Sequence, residues 1–300
     1  MNSSTFKPKR KAKPKTKDVS TVHQSRCSVF QPTRRPIHQT RIQENEWGST
    51  SVKGRLGQSH QDTLDACFCV AEKHIVASDG RIFLQIDPYK LRRKLGNLPH
   101  SKIEEWLQEL RSATVEIRVP TRGIWALGGI IDEAVESDKG IPESGHRGAI
   151  YGGERKYLRV VISRIWAGMM KQDLPTGYRG RFDNILALKS GVSQAIARLM
   201  LTHAASARIG MDAALLAIGA ETGHCHRARL IRSMEADLPL LLLMGITVTD
   251  NVVSVSLTTP TTHHVPGESN TPRPTFPDTT PHVPGNTPHV PGLFGVSIGI

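Results

Sequence analysis

Met211-Asp-Ala-Ala-Leu-Leu-Ala-Ile-Gly-Ala-Glu-Thr-Gly-His-Cys-His-Arg-Ala-Arg-Leu-Ile-Arg-Ser-Met234 reads as two helices meeting at a tight turn. A residue without Cβ takes the left-handed cap conformation cheaply, so Gly219 ends the first helix. Thr222 is placed to N-cap the second, its side-chain oxygen accepting from an otherwise unpaired backbone N–H. Two helices joined by about three or four residues that include Gly make a helix–turn–helix.

The second of these helices has two faces. At about 100° per residue, Leu230, Ile231, Met234 and Leu238 share one arc and are expected to face a core. His226, Arg229, Arg232 and Ser233 fall on the opposite side, with His224 near the N-terminus. Hydrogen-bond donors on an outer face, behind a helix N-terminus that tolerates phosphate, suit a helix that reads DNA. His226, Arg229, Arg232 and Ser233 are thus the base-edge candidates. Thr222, His224, Arg227, Arg181, Arg198 and Lys189 are the phosphate candidates.

Working outward, Asp183–Leu188 is a short helix, and Ser190-Gly191 opens a longer one on which Val192, Ile196, Leu199, Met200 and His203 share a side. Gly245–Val248 and Val252–Leu257 form a hairpin with Asp250-Asn251 at its turn. A similar order runs earlier. Gln58–Glu72 carries Leu64, Cys67, Phe68 and Ala71 at helical spacing, and Arg81–Ile86 is a short strand. Asp87 caps a helix with Pro88 at its first position. Ser101–Glu104 has a capping-box pattern ahead of a stripe of Ile103, Trp106, Leu107 and Leu110. Alternating Val115, Ile117 and Val119, then Ile124–Ile131, give two strands around Pro120–Gly123. Asp138–Gly153 has no periodicity, and Tyr157–Ile165 is a strand. The expected fold is α+β: two tandem winged-helix domains at 54–137 and 154–257, joined by a linker at 138–153. Tails at 1–53 and 258–300 are expected to be disordered.

Charge divides unevenly along the 300 residues. Residues 1–53 carry 12 Lys/Arg against 3 Asp/Glu, 54–144 carry 12 against 14, 145–250 carry 14 against 8, and 251–300 carry 1 against 2. The positive excess lies on the N-terminal tail and on the segment holding the helix–turn–helix, which implies a polyanionic partner. Lys7–Lys17 would hold phosphates without sequence preference. The C-terminal tail repeats a His-Val-Pro-Gly unit at His264, His282 and His289 and reads as a Pro-rich spacer. Four cysteines in a chain of this length make no disulfide framework. Cys67 and Cys69 point to different faces of a helix, and His224-Cys225-His226 lacks a second pair at finger spacing, so no metal site is expected. The basic N-terminus is followed by no apolar stretch, and Leu238–Ile246 is far short of the roughly 20 residues that cross a bilayer. No membrane association and a cytoplasmic location are expected.

Gly54-Arg-Leu-Gly-Gln-Ser-His-Gln-Asp-Thr-Leu-Asp-Ala66 resembles the opening helix of plasmid replication initiators of the TrfA type. Leu186-Ala-Leu-Lys-Ser-Gly-Val-Ser-Gln-Ala-Ile-Ala-Arg198, with His203, is similar to the second winged helix of that iteron-binding group. The likeness covers roughly 54–257. It implies a plasmid replication initiation protein, subject to copy control, that binds repeated origin sequences and promotes origin opening. It also implies recruitment of host replication proteins such as an initiator, helicase or sliding clamp. Dimerisation through the first winged helix and major-groove contacts through the second complete what the resemblance implies.

No catalytic constellation is present. A Gly-x-x-x-x-Gly-Lys-Ser/Thr loop is missing. A rolling-circle initiator would need a Tyr nucleophile beside a metal held by His-apolar-His, whereas His263 and His264 are adjacent and Tyr151 and Tyr157 read as packing or loop residues. A protein that is not an enzyme and carries no cofactor is expected. The alternatives are a winged-helix transcriptional regulator and, further off, a DNA-nicking initiator.

Overall fold

The computed structural model describes residues 19–45, 48–140, 156–172, 174–220, 223–249 and 251–256. Its elements begin with β1 (Ser20–Thr21), α1 (Val22–Arg26), β2 (Gln39–Asn45), β3 (Gly48–Gly54) and α2 (Gln58–Val70). Then come β4 (Lys73–Val76), β5 (Ile82–Ile86), α3 (Pro88–Lys94), α4 (His100–Ser112), β6 (Thr114–Val119) and β7 (Ile124–Gly128). A middle group follows: β8 (Ile131–Gly140), β9 (Lys156–Ile162), α5 (Arg164–Gln172), β10 (Pro175–Thr176), α6 (Phe182–Ala187) and α7 (Gly191–Leu201). The last are β11 (Arg208–Gly210), α8 (Met211–Ala217), α9 (His224–Met234), α10 (Leu238–Leu243), β12 (Ile246–Val248) and β13 (Val252–Val255).

Local chemistry accounts for many of these bounds. Val115, Ile117 and Val119 alternate with less buried neighbours along β6 and turn into the core. Gly123, at φ 62°, closes the turn into β7 in the left-handed region. Asp87 caps α3 by accepting from the Tyr89 N–H at 2.9 Å, and Ser190 caps α7 by accepting from the Val192 N–H at 3.2 Å. The capping box expected at Ser101 does not form. Helix α4 starts one residue earlier, with Pro99 at its cap and no side-chain bond. Ile103, Leu107 and Leu110 are its buried stripe, while Trp106, expected in that stripe, is only half-buried beneath the Lys102 ammonium.

Three antiparallel sheets carry most strands: β2-β3-β6-β7, β4-β5-β9-β8 and β11-β13-β12. Their pairings redraw the expected domains. Residues 19–53 were to belong to a disordered tail, yet they hold β1, α1, β2 and most of β3. Backbone pairing of β3 with β6 over Ser49↔Arg118 to Lys53↔Thr114 builds them into the first sheet. Strand β8 runs through the boundary at 137, and β9 pairs with both β8 and β5. The start of the expected linker therefore lies within β8, and the strand placed at the head of the second domain pairs with strands placed in the first. The expectations for residues 1–18 and 258–300 lie outside the described residues.

The segment from β1 to β2 is strapped across the second half. The Arg26 guanidinium donates to the Thr202 carbonyl at 2.5 Å, at the C-terminus of α7. Arg34 donates to the Leu188 carbonyl at 2.6 Å, at the C-terminus of α6. Both place a cation where helix carbonyls lack partners. Thr33 is wedged between the starts of α2 and α7. A Cβ at Gly57 would meet the Thr33 carbonyl oxygen at 2.6 Å, and one at Gly191 would meet the Thr33 Cα at 2.5 Å. Only glycine fits either place.

At the centre α2 crosses α7, and the contact is polar. Every residue from Gln58 to Phe68 is buried, including Asp62 and Asp65. Arg198 of α7, 1% exposed, donates to Asp62 Oδ1 at 2.6 Å and Gln58 Oε1 at 2.6 Å, and reaches Asp65 Oδ2 at 3.4 Å. Gln194 Nε2 donates to the second oxygen of Asp62 at 3.0 Å, and Arg34 approaches that oxygen from the surface at 3.9 Å. Asp65 is less well served: the Tyr178 hydroxyl lies at 3.2 Å from Oδ2, and Oδ1 has no hydrogen-bond partner among the described residues. Burial pushes the Asp65 carboxyl up to about 7, with Asp62 adding to the rise and Arg198 opposing it. Two buried carboxyls share one buried guanidinium, and a proton kept on Asp65 leaves that group neutral.

Candidate nucleic-acid interface

Helix α8 ends as its sequence suggests. Gly219 sits at φ 76°, its N–H donating to the Leu216 carbonyl and that of Ala220 to the Leu215 carbonyl, both at 2.9 Å. Helix α9 then starts from Gly223, which is extended and offers no side-chain cap. Thr222 and its expected capping role lie outside the described residues, as does the side chain of His224. Inside, Met234 is fully buried, with Leu230 and Ile231 packed half-buried against the core. Leu238 departs from the expectation at 37% exposed. The chain leaves α9 at Met234 through a single 3₁₀ turn, so Leu238 starts α10 on another axis.

On the outside, Arg229, Arg232 and Ser233 are exposed and His226 is half-buried. Arg229 Nη2 donates to His226 Nδ1 at 2.7 Å, a bond that exists only with Nδ1 unprotonated. The Ser233 hydroxyl donates to the Leu230 carbonyl at 2.7 Å and lies 3.2 Å from the Ser190 hydroxyl. Arg227 pairs with Asp212 of α8 at 2.6 Å, fastening the two helices together. Arg229, Arg232 and Ser233 are thus exposed on α9, with His226 half-buried beside Arg229.

The phosphate candidates scatter. Arg198 is the clear correction: it is the buried partner of Asp62 and Asp65 and cannot reach a phosphate. Arg181 Nη1 donates to the Leu243 carbonyl at 3.1 Å, at the end of α10. Lys189 is exposed, and its backbone N–H donates to Asp237 at 2.9 Å. Asp237, 1% exposed, also takes the Ser190 N–H at 2.8 Å and so holds the start of α7 beside α9. Sequence reading missed that role, because an acid in a helical connection carries no local mark of the N–H groups it will meet. Arg179, which donates to the His203 carbonyl at 2.7 Å, joins Arg26, Arg34 and Arg181 at helix C-termini. Four arginines of the basic segments thus stabilise the fold, while Arg229 and Arg232 stay exposed on α9.

Also missed was the wall opposite α9. A groove of about 940 Å³ runs between α9 and the segment Gln31–Glu44, floored by the first residues of α7. Among the described residues, no group of three or more His, Cys, Asp or Glu could hold a metal, and no helix is long and apolar enough to cross a membrane.

No protein-family model matches the chain, and no curated protein matches it. Among solved structures, it is similar to a selenomethionine derivative of domains 2 and 3 of RctB, with a TM-score of 0.51 and 11% identity. That likeness covers 79% of this chain and 98% of the other. A second structure of RctB domains 2–3 matches with a TM-score of 0.44 and 9% identity, covering 79% and 97%. The first likeness establishes a shared α+β fold that spans nearly the whole of the two RctB domains.

Proposed function

We propose that this chain is a DNA replication initiator that binds duplex DNA through α9. The observation that carries the reading is the exposed outer face of α9, where Arg229, Arg232 and Ser233 stand behind a left-handed turn and ahead of the β12–β13 hairpin. That order is the docking arrangement of a helix–turn–helix with its second helix in the major groove. The fold likeness to domains of RctB, a replication initiator, supports it. In this reading each half is a winged helix, and the protein binds repeated origin sites on a plasmid. It opens the adjacent duplex without catalysis, pairs with a second copy, and recruits host replication proteins at the nucleoid or plasmid in the cytoplasm.

The test uses the full chain and a pool of randomised duplexes. Enrichment of one motif, followed by permanganate-reactive thymines beside repeats of that motif in a supercoiled plasmid, is the expected result. A pool that stays random overturns the reading. Metal-dependent nicking of the plasmid would replace it with an enzymatic initiator.

A further inference from the structure

The wall opposite α9 is built from a segment whose sequence reads as tail, and it is firmly placed. Gln43 Nε2 donates to the Leu216 carbonyl at 2.6 Å, Arg34 holds the end of α6, and Thr33 is locked between two glycines. Within this wall Arg35 is exposed, and its guanidinium has no partner among the described residues. The groove is lined by Arg35, Arg229 and His226, against one acidic residue, Glu44, with Ile42 and Leu216 among its apolar lining.

Geometry limits what such a groove can face. A helix lying in a major groove about 12 Å wide has a sugar–phosphate strand on either side of it. A fixed wall facing α9 across a groove is placed to stand over one of those strands. We propose that the groove between α9 and Gln31–Glu44 seats one sugar–phosphate strand of the duplex that α9 reads, with Arg35 as its phosphate contact. The proposal rests on the reading of α9 as a duplex reader and adds a second, sequence-blind wall to it. Phosphate contacts of this kind fix register and orientation, whereas base-edge contacts specify sequence.

The test compares the full chain with Arg35→Ala, Arg35→Lys and Arg229→Ala. The probes are the duplex enriched from the randomised pool and an unrelated duplex of equal length, each titrated across salt. Arg35→Ala should weaken both duplexes by the same factor and lower the slope of log K against log salt by about 1, and Arg35→Lys should restore the slope. Arg35 is exposed, so neither variant endangers folding. If Arg35→Ala leaves affinity and slope unchanged while Arg229→Ala loses discrimination, the groove holds no strand and the reading of α9 stands. Loss confined to the enriched duplex would also overturn the phosphate role. If neither variant alters binding, the reading of α9 fails and the groove proposal fails with it.

Discussion

Helices α4 and α9 hold the same place in the order of the two halves, yet they present opposite surfaces. Each follows a short helix through a left-handed turn, Gly96-Asn97 before α4 and Gly219 before α9, and a hairpin comes after each, directly for α4 and beyond α10 for α9. The acids of α4 are already engaged: Glu104 with His100 and Glu105 with Lys102 outside, and Glu109 with Arg55 and the buried His60 of α2. His60 takes the Gly57 N–H on Nδ1, so its proton sits on Nε2 toward Glu109, and burial holds its pKa below the usual value. On α9 the exposed charges are Arg229 and Arg232, and the ion pair of Arg227 with Asp212 reaches back to α8. A shared element order thus says where a reading helix would stand. The charge on its outer face says which one can meet a polyanion.

The comparison requires both helices to be held in one frame, and the largest predicted effect comes from breaking that frame. Arg198→Met leaves Asp62 buried without its cation, and removing one partner of a buried pair costs about 3–5 kcal/mol. For a folded unit of roughly 150–250 residues that lowers the melting temperature by roughly 6–20 °C. Calorimetry would register the loss, while the salt slope of DNA binding by the protein still folded should equal the parent's. A lowered slope with unchanged stability would return Arg198 to the phosphate contacts.

The same joint predicts a pH effect of similar or smaller size. A carboxyl that holds its proton more tightly when folded favours the folded state at low pH and loses that advantage as pH climbs to its folded pKa. Asp65, lifted from 3.8 to about 7, therefore withdraws at most about 4 kcal/mol of stability across that window. Asp65→Asn carries no such titration. Urea melts should find the variant gaining on the parent from about pH 4 to about pH 7, with a constant difference above about pH 8. A difference independent of pH would mean that Asp65 is ionised throughout.

The outer face of α9 was legible because amphipathic helices mark themselves at every third or fourth residue, and β6 because burial alternates along it. Strand β2, Gln-Thr-Arg-Ile-Gln-Glu-Asn, had no such mark. Its one large apolar residue, Ile42, is 72% exposed, and the strand is held as an edge by backbone bonds to β3. An edge strand of this kind reads as polar tail, which is why the wall of the groove was invisible in the sequence. Arg198 was misread for a related reason. It sits beside Gln194 and Ser190 like any cation on a helix, and the acids that bury it lie 133 and 136 residues away. Pairing across such distances leaves no local pattern.

The central claim is that α9, and not α4, meets the base edges. It is tested most directly by measuring the full chain, Arg229→Ala and Glu104→Gln against the enriched duplex and its single-base-pair variants. Arg229→Ala should lose about 1–3 kcal/mol on the enriched duplex and relax the preference at one base pair. Glu104→Gln, on an exposed face away from DNA, should stay within about 0.5 kcal/mol of the parent. An Arg229→Ala protein with the parent's affinity and base preference, or a Glu104→Gln protein whose preference shifts as much, would contradict the account.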